Sequence, residues 1–520
     1  MKLYNPILTG FHPDPCICRA NGKYYLVTST FEWYPGVSLY ESEDLINWKC
    51  RGGILKKLNL EGIPDSAGIW APSLTYDGEK FYLIYTVCRQ IDGYFKDLEN
   101  YLVTAESMDG EWSVPVFLNA SGFDPGMYHE NGKHYVVNPQ WDPRPLKGHR
   151  KFNGLIMQEF SMEQKKLVGD SQMIFKGSPR GGCEGPHILK KDGWYYLLTA
   201  VGGTGRHHSI TAARAERLWG PYQTSPIDPL ITSWEQPTDL KKAGHGNFVE
   251  TPEGKWYMVH LCARYLEKKQ VCPLGRETAI QEIKWKNGWP QMVQENVCPS
   301  DHIEIQGERE AKSKEYQTDF PENMRWEQEE WLTLRKRGEA GRSLIGEGIQ
   351  LAGGASLTSL FNQSLLARRW NSFHFQVETE LIYHPYHYLQ TAGLTCYYNT
   401  KAFYYLNVGF DEKQKKRVLS ILKNDNFSFW ALPEEETVTI EDSVKRIRLR
   451  ADIEQDCLQF YYALDEEAYQ MIGKPQDASI LSDEHVQGWA YTGAVIGITA
   501  VDNFNKDTTA RFTKFVQREL

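Results

Sequence analysis

Three carboxylates stand in phrases suited to hydrolytic chemistry: Asp14 in Phe11-His-Pro-Asp14-Pro, Asp124 in Gly122-Phe-Asp124-Pro-Gly, and Glu184 in Gly182-Cys-Glu184-Gly-Pro. Each is followed at once, or one residue later, by proline, which lacks a backbone donor and interrupts ladder pairing, as at a strand end opening onto a channel. Cleaving a glycosidic bond takes one carboxylic acid to protonate the leaving oxygen and a second carboxylate to activate water or attack the anomeric carbon. Among three convergent acids, mutual repulsion and burial would hold one protonated near neutral pH and leave another ionised, with the third tuning the acid. Taken singly, each phrase reads as a turn, because Asp, Gly and Pro are turn residues. A shared register is what makes them a set.

That register comes from a repeat. A glycine, a paired aromatic and an apolar run recur as Gly22-Lys-Tyr-Tyr25, Gly78-Glu-Lys-Phe-Tyr82, Gly132-Lys-His-Tyr135, Gly193-Trp-Tyr-Tyr196 and Gly254-Lys-Trp-Tyr257, roughly 53 to 61 residues apart. About 11 or 12 residues ahead of the numbered tyrosines stand Asp14, Trp70, Asp124, Glu184 and His245. After most aromatic strands a further apolar run meets turn chemistry before a terminal aromatic, as in Leu39 to Trp48 and Ile210 to Tyr222, so that about four strands fill each repeat. Four antiparallel strands repeated about an axis make a propeller blade, whose first strand lines the central channel. Equivalent positions in the repeat are therefore expected to meet at the axis.

The two remaining members follow from the same logic. Trp70 would offer an indole face to a sugar ring, although a lone tryptophan is as readily core. His245 would ligate a cation or hold a water beneath the channel; an isolated histidine is more often structural, and its register tips the balance toward the site.

The expected fold is all-β, a five-bladed β-propeller followed by a β-sandwich. The propeller is assigned to residues 1–305, a linker to 306–318 on the charged run Gln306-Gly-Glu-Arg-Glu-Ala-Lys-Ser-Lys-Glu315, and the sandwich to 319–520. Runs such as Phe373 to Tyr383, Ala402 to Val408, Arg446 to Asp452 and Leu458 to Leu464 alternate like half-buried strands. No acid–base set is isolated in the second domain, so its expected role is structural or substrate-restricting.

Composition bounds the partners. A chain of 520 residues exceeds what one core usually serves, and 13% aromatic content favours strands over helix bundles. A net charge of -9 provides no basic field, which argues against nucleic acid and anionic membrane and for a small neutral ligand. No apolar stretch approaches transmembrane length, and Met1-Lys-Leu-Tyr-Asn-Pro-Ile7 lacks the apolar core of a secretory signal, so a cytoplasmic location is expected. The ten cysteines form neither zinc-type pairs nor a disulfide framework; they are expected to be free thiols, with Cys16 and Cys18 acting as small hydrophobes on one strand face.

At these residues the chain resembles the β-xylosidases of glycoside hydrolase family 43. The likeness runs from Asn5-Pro-Ile-Leu-Thr-Gly-Phe-His-Pro-Asp14 through Thr28-Ser-Thr-Phe31, Asp65-Ser-Ala-Gly-Ile-Trp70-Ala-Pro, Glu184-Gly-Pro-His187 and Gly202-Gly-Thr-Gly205 to Leu274-Gly-Arg276-Glu-Thr-Ala. The resemblance implies Asp14 as general base, Glu184 as general acid, Asp124 as the residue that raises and orients the acid, and inversion in a single displacement. It implies Arg276 beside acid and substrate and Phe31 and Trp70 in the terminal sugar subsite. His245 matches a histidine that in some relatives binds calcium directly or through water, and His208 matches a second one in the same region, assigned here to substrate binding. The chemistry itself needs no cofactor, and a divalent cation such as calcium stays an option. Relatives of this layout close one end of the channel with a sandwich loop, for which Val501-Asp-Asn-Phe504 is the candidate; self-association into a homo-oligomer is left open. Cys16 and Cys183 beside the carboxylates depart from the family pattern, and oxidation of Cys183 would be expected to impair the acid.

The implied activity is release of terminal xylose from short β-1,4-xylo-oligosaccharides, with α-L-arabinofuranosidase as the alternative or second activity. A fructosidase is disfavoured because its Trp-x-Asn-Asp-Pro-Asn phrase is absent near the N-terminus. A non-catalytic sugar-binding propeller is the reading from another class, and the intact carboxylate set argues against it.

Overall fold

The computed structural model describes residues 1–144, 151–311, 313–337, 342–344 and 348–520. It contains five four-stranded antiparallel arrays, each wound outward from the axis. Blade I is Cys16–Ala20, Lys23–Thr28, Gly36–Ser42 and Lys49–Leu55; blade II begins with Gly68–Tyr76 and Phe81–Gln90. Blades III, IV and V begin with Gly126–Glu130, Cys183–Lys191 and Lys241–Glu250. In blade IV a fifth short strand, Ile231–Thr232, pairs with Ser209–Ala215.

Two parts of the repeated phrase have separate physical causes. Gly22, Gly78, Gly132, Gly193 and Gly254 all take positive φ, between 72° and 103°, at the turn from the first to the second strand. In three of these turns the preceding residue is Asn21, Asn131 or Asp192, also at positive φ, as a tight hairpin turn requires. The five tyrosines fill the gaps between blades: Tyr25 meets Phe81 edge-on at 5.5 Å, and Tyr196 meets Trp285 at 4.7 Å. The phrase repeats because each blade must turn once and pack once against its neighbour.

The ring is closed by the N-terminal segment. Lys2–Tyr4 pairs with His302–Glu304, and the following residues lie along blade V through bonds from Ile7 N to Thr278 O at 2.8 Å and from His12 N to Arg276 O at 2.8 Å. Asn5 exchanges two side-chain bonds with the backbone of Ile280, both at 2.9 Å. Asp14 lies directly after this closing segment.

Among the described residues the second domain is a sandwich of an eight-stranded and a seven-stranded sheet. Alternating strands such as Ile447–Glu454 supply every second residue to one core that includes Leu449, Ile453, Phe375 and Phe512. The expected linker is shorter than drawn from the sequence: Glu315–Thr318 is a strand paired with Thr509–Glu519, while position 312 lies outside the described residues. The strand's one charged residue, Glu315, is exposed and pairs with Arg518 on an edge strand, which the loss of apolar pattern disguised. Cys16 and Cys18 are buried among Val27, Leu39 and Leu83, and all ten cysteines are free.

The domains share a core. Phe11, Phe31 and Trp33 of the propeller pack with Leu332, Leu365, Tyr397 and Val495, and Thr333–Leu334 pairs with Trp33–Tyr34. Polar bonds reinforce it, with Arg335 ion-paired to Asp65 at 2.9 Å and Arg369 donating to the Phe11 carbonyl at 2.7 Å.

Candidate active site

The five register positions converge on one pocket of about 270 Å³, lined by Asp14, Trp70, Asp124, Glu184 and His245 together with Phe31, His208 and Arg276. A backbone kink delivers them. Asp14, Ala71, Asp124, Gly185 and His245 all take positive φ, at 52°, 22°, 48°, 54° and 37°. Such conformations are costly for residues other than glycine and persist where the surrounding structure enforces them. Here they turn the first strand of each blade out of regular pairing, and the ladders of blades II, IV and V carry register shifts at these positions.

Asp14 is anchored on both oxygens: Ser29 Oγ donates to Oδ2 at 2.7 Å and Arg276 Nη1 to Oδ1 at 3.2 Å. Burial pushes its carboxyl up, but the Arg276 guanidinium, His245, the Ser29 hydroxyl and His208 outweigh it and hold the group below the usual carboxylate range. Glu184 goes the other way: burial and the neighbouring Asp14 charge raise it to about 7, against the opposing pull of Arg276. Burial, then Glu184 and Asp14, raise Asp124 as well. Asp124 and Glu184 thus hold a proton between them near neutral pH and titrate as a pair. The pocket contains an ionised carboxylate and a protonated carboxylic acid at once, the combination that acetal hydrolysis requires.

Arg276 is 3% exposed, and besides Asp14 it donates to Thr204 Oγ1 at 2.8 Å and to the Tyr491 carbonyl at 2.7 Å. Phe31, Trp70 and Tyr491 form an aromatic floor, with ring centroids 6.0 to 6.3 Å apart. The Trp70 indole nitrogen donates to Ser66 O at 3.0 Å, which fixes the ring plane. Sequence reading did not find Tyr491 or Trp489, which reach the pocket from the sandwich, nor Lys96, Trp141 and Phe152 at the mouth. Their one legible signal is the aromatic pair within Gly488-Trp-Ala-Tyr-Thr-Gly493. This corrects the candidate loop: Val501–Phe504 does not line the pocket, and Phe504 instead stacks on His387 at 3.7 Å, far along the sandwich sheet. Cys183, next to Glu184, is 1% exposed, and burial raises its thiol above the ordinary value, which leaves little reactive thiolate.

The histidines have distinct states. His208 Nδ1 donates to Lys242 O at 2.9 Å, leaving Nε2 as a bare, buried acceptor without a partner among the described residues. Burial and neighbouring His245 lower His208 to about 3, so its ring is neutral. His245 is packed tightly beneath Gly185, where an added Cβ would lie 2.5 Å from its Cε1. Among the described residues no cluster of three or more His, Cys, Asp or Glu is arranged to hold a metal. Neither ring nitrogen of His245 bonds another described residue, so a cation placed there would take one imidazole ligand and complete its shell with water.

Comparisons agree with this geometry. Residues 3–290 match the family described as glycosyl hydrolases family 43, and residues 319–517 match the β-xylosidase C-terminal concanavalin A-like domain. The chain is 39% identical over 542 residues to the β-xylosidase of Bacillus subtilis (strain 168), covering 100% of both chains. It is 40% identical to the xylosidase/arabinosidase 43B of Humicola insolens, covering 100% of this chain and 98% of that one. The crystal structure of xylan β-1,4-xylosidase from Bacillus halodurans C-125 superposes with a TM-score of 0.94 at 39% identity, covering 99% of this chain and 100% of that one. With its carboxylate triad on a five-bladed ring and its pocket closed by a concanavalin-like sandwich, the chain belongs to glycosyl hydrolase family 43.

Proposed function

We propose that this protein is an inverting exo-glycosidase that removes terminal xylose from short β-1,4-xylo-oligosaccharides. The observation that carries the reading is the opposed state of Asp14 and Glu184 inside one small aromatic-floored pocket. Asp14 takes a proton from water as the water oxygen attacks the anomeric carbon, and Glu184 gives its proton to the departing glycosidic oxygen. Burial and the Asp14 charge keep Glu184 protonated, Asp124 shares that proton as the coupled neighbour, and Arg276 keeps Asp14 ionised. After release, proton exchange with solvent returns Asp14 and Glu184 to their starting states.

Phe31, Trp70 and Tyr491 supply apolar area for one pentose ring, and the His208 Nε2 acceptor suits a sugar hydroxyl. The narrow pocket, closed on one side by the sandwich, favours chain ends over internal bonds. A second α-L-arabinofuranosidase activity is favoured by the 40% identical relative named xylosidase/arabinosidase. A product time course on xylobiose by NMR tests the main reading: the released xylose must first show more of the α anomer than mutarotated xylose holds, and an absent initial α excess or no cleavage would sink it.

A divalent cation such as calcium, held by His245 through one nitrogen and water, would add positive charge beneath the carboxylates. Calcium binding by the wild type and a His245→Ala variant, compared by equilibrium dialysis, checks this; equal binding rejects it. Among the described residues no helix is long and apolar enough to cross a membrane, and free cysteines in a chain acting on imported oligosaccharides fit the cytoplasm. Fractionation of cells with an antibody to the protein decides the location.

A further inference from the structure

Three residues before His245, Lys242 occupies a position that the hydrolytic chemistry does not use. It is 5% exposed, with its backbone at φ 54°. Buried lysines are rare and need partners. Its ammonium meets Glu484 Oε1 at 2.7 Å, Asp483 Oδ2 at 3.0 Å and Cys272 Sγ at 3.2 Å, one partner for each of its three N–H groups.

Two of those partners belong to the sandwich. Asp483 and Glu484 follow the short helical turn Ala478–Ile480 and lead into the segment that brings Trp489 and Tyr491 to the pocket. The cage is held from both sides: Tyr398 donates to Asp483 Oδ1 at 2.7 Å, and Cys272 N donates to Glu484 Oε2 at 2.9 Å. The other end of Lys242 reaches the site directly, because its carbonyl is the acceptor for His208 Nδ1. That bond leaves Nε2 free of hydrogen, buried and without a partner among the described residues, on a ring that lines the pocket. A left-handed backbone at a lysine costs energy, and the side-chain cage is what holds the carbonyl in place.

We propose that Lys242 is a positioning residue for sugar binding: through its carbonyl it sets the acceptor nitrogen of His208, and through its ammonium it docks the sandwich segment bearing Trp489 and Tyr491. The inference rests on the hydrolase reading above and assigns the sandwich a part in substrate affinity. Asp14, Asp124 and Glu184 make no contact with the ammonium cage, so the chemical step is left intact when the cage is opened.

The test compares kcat and KM for nitrophenyl β-xyloside in the wild type, Lys242→Met and Glu484→Gln, with thermal unfolding of each as a check on folding. Lys242→Met should raise KM about tenfold or more with kcat within about threefold of wild type, the signature of lost ground-state binding. Glu484→Gln, which keeps the lysine and loses one charge of the cage, should raise KM by a smaller factor. Adding Asp483→Asn and Glu484→Gln to Lys242→Met should recover thermal stability while KM stays high, which a purely structural role would not produce. A folded Lys242→Met enzyme with KM within about twofold of wild type overturns the proposal, as does an equal fall in kcat and kcat/KM. If Lys242→Met does not fold, Glu484→Gln with unchanged KM overturns it instead. A wild type inactive on every pentoside would count against the hydrolase reading itself; xylose titration by tryptophan fluorescence then decides, weaker binding by Lys242→Met upholding the positioning role and equal binding overturning it.

Discussion

Arg276 grips Asp14 with one terminal nitrogen, 3.2 Å from Oδ1, and the carbonyl of Tyr491 with the other, at 2.7 Å. A single guanidinium therefore ties the proposed base in the propeller to the closing segment of the sandwich, and an arginine can do this because its donors form a fixed fork. Replacing Arg276 by Met removes the main charge that offsets the burial of Asp14. The Asp14 pKa then rises, so the acidic limb of the kcat/KM profile moves to higher pH. An acidic limb that stays in place while activity falls would show that Arg276 acts only on substrate.

The wild-type profile has its own sign. The proposed mechanism needs Asp14 ionised, and it is held below the ordinary value of 3.8; it needs Glu184 protonated, and that group is raised to about 7. Activity should be level from weakly acidic pH and fall as pH rises through about 7. An alkaline limb set two or more units higher would remove Glu184 from the acid role, by the general relation between limb and pKa.

Glu184→Gln keeps the shape of the acid and loses its proton. Turnover of xylobiose should drop by about 10² to 10⁴, the usual contribution of general acid catalysis. The loss should be much smaller for a nitrophenyl xyloside, whose leaving group needs little protonation. Equal losses on the two substrates would contradict the assignment.

Trp489 reaches over the mouth, where its indole nitrogen donates to Asp92 at 2.8 Å and Lys96 lies 4.6 Å above its ring. Trp489→Ala opens that side of the pocket. KM for xylobiose should rise about 5- to 50-fold with a lesser change in kcat, since binding area is lost and no reacting group is touched. Steady-state kinetics on xylobiose and xylotriose check this, and unchanged KM on both would place the leaving sugar elsewhere.

At the domain interface Glu32 is fully buried beside Asp65 and Arg335, and burial, followed by the Asp65 charge, raises it to about 8. Because its folded pKa lies above the unfolded value of 4.5, its stabilising contribution is complete below that value and is lost as pH rises through about 8. Glu32→Gln should flatten the fall in thermal stability across this window. An unchanged slope would mean that another group governs it.

The sequence made the propeller part of the site readable because one backbone device is used five times. Asp14, Asp124 and His245 sit on the same kink, and Trp70 and Glu184 are one residue before it. Phe31 and Arg276 lie outside the repeat and were placed by family phrases alone. The sandwich residues escaped both routes. Tyr491 is 425 positions from its hydrogen-bond partner Ser66, and no periodic pattern relates the two domains. Val501–Phe504 is the candidate for the closing loop that the resemblance implies, yet Asp502 Oδ1 accepts from Phe504 N and Asn505 N and so closes a local turn rather than reaching across the interface.

The strand that closes the ring also has a bearing on synthesis. The arginine that pairs with Asp14 follows it out of the ribosome 262 positions later. The segment carrying Tyr491 comes later still. A nascent or prematurely released chain therefore holds a base without its cation and a pocket without its wall. The proposed catalysis therefore becomes available only once synthesis has passed Tyr491, so the propeller cannot act ahead of the domain that follows it.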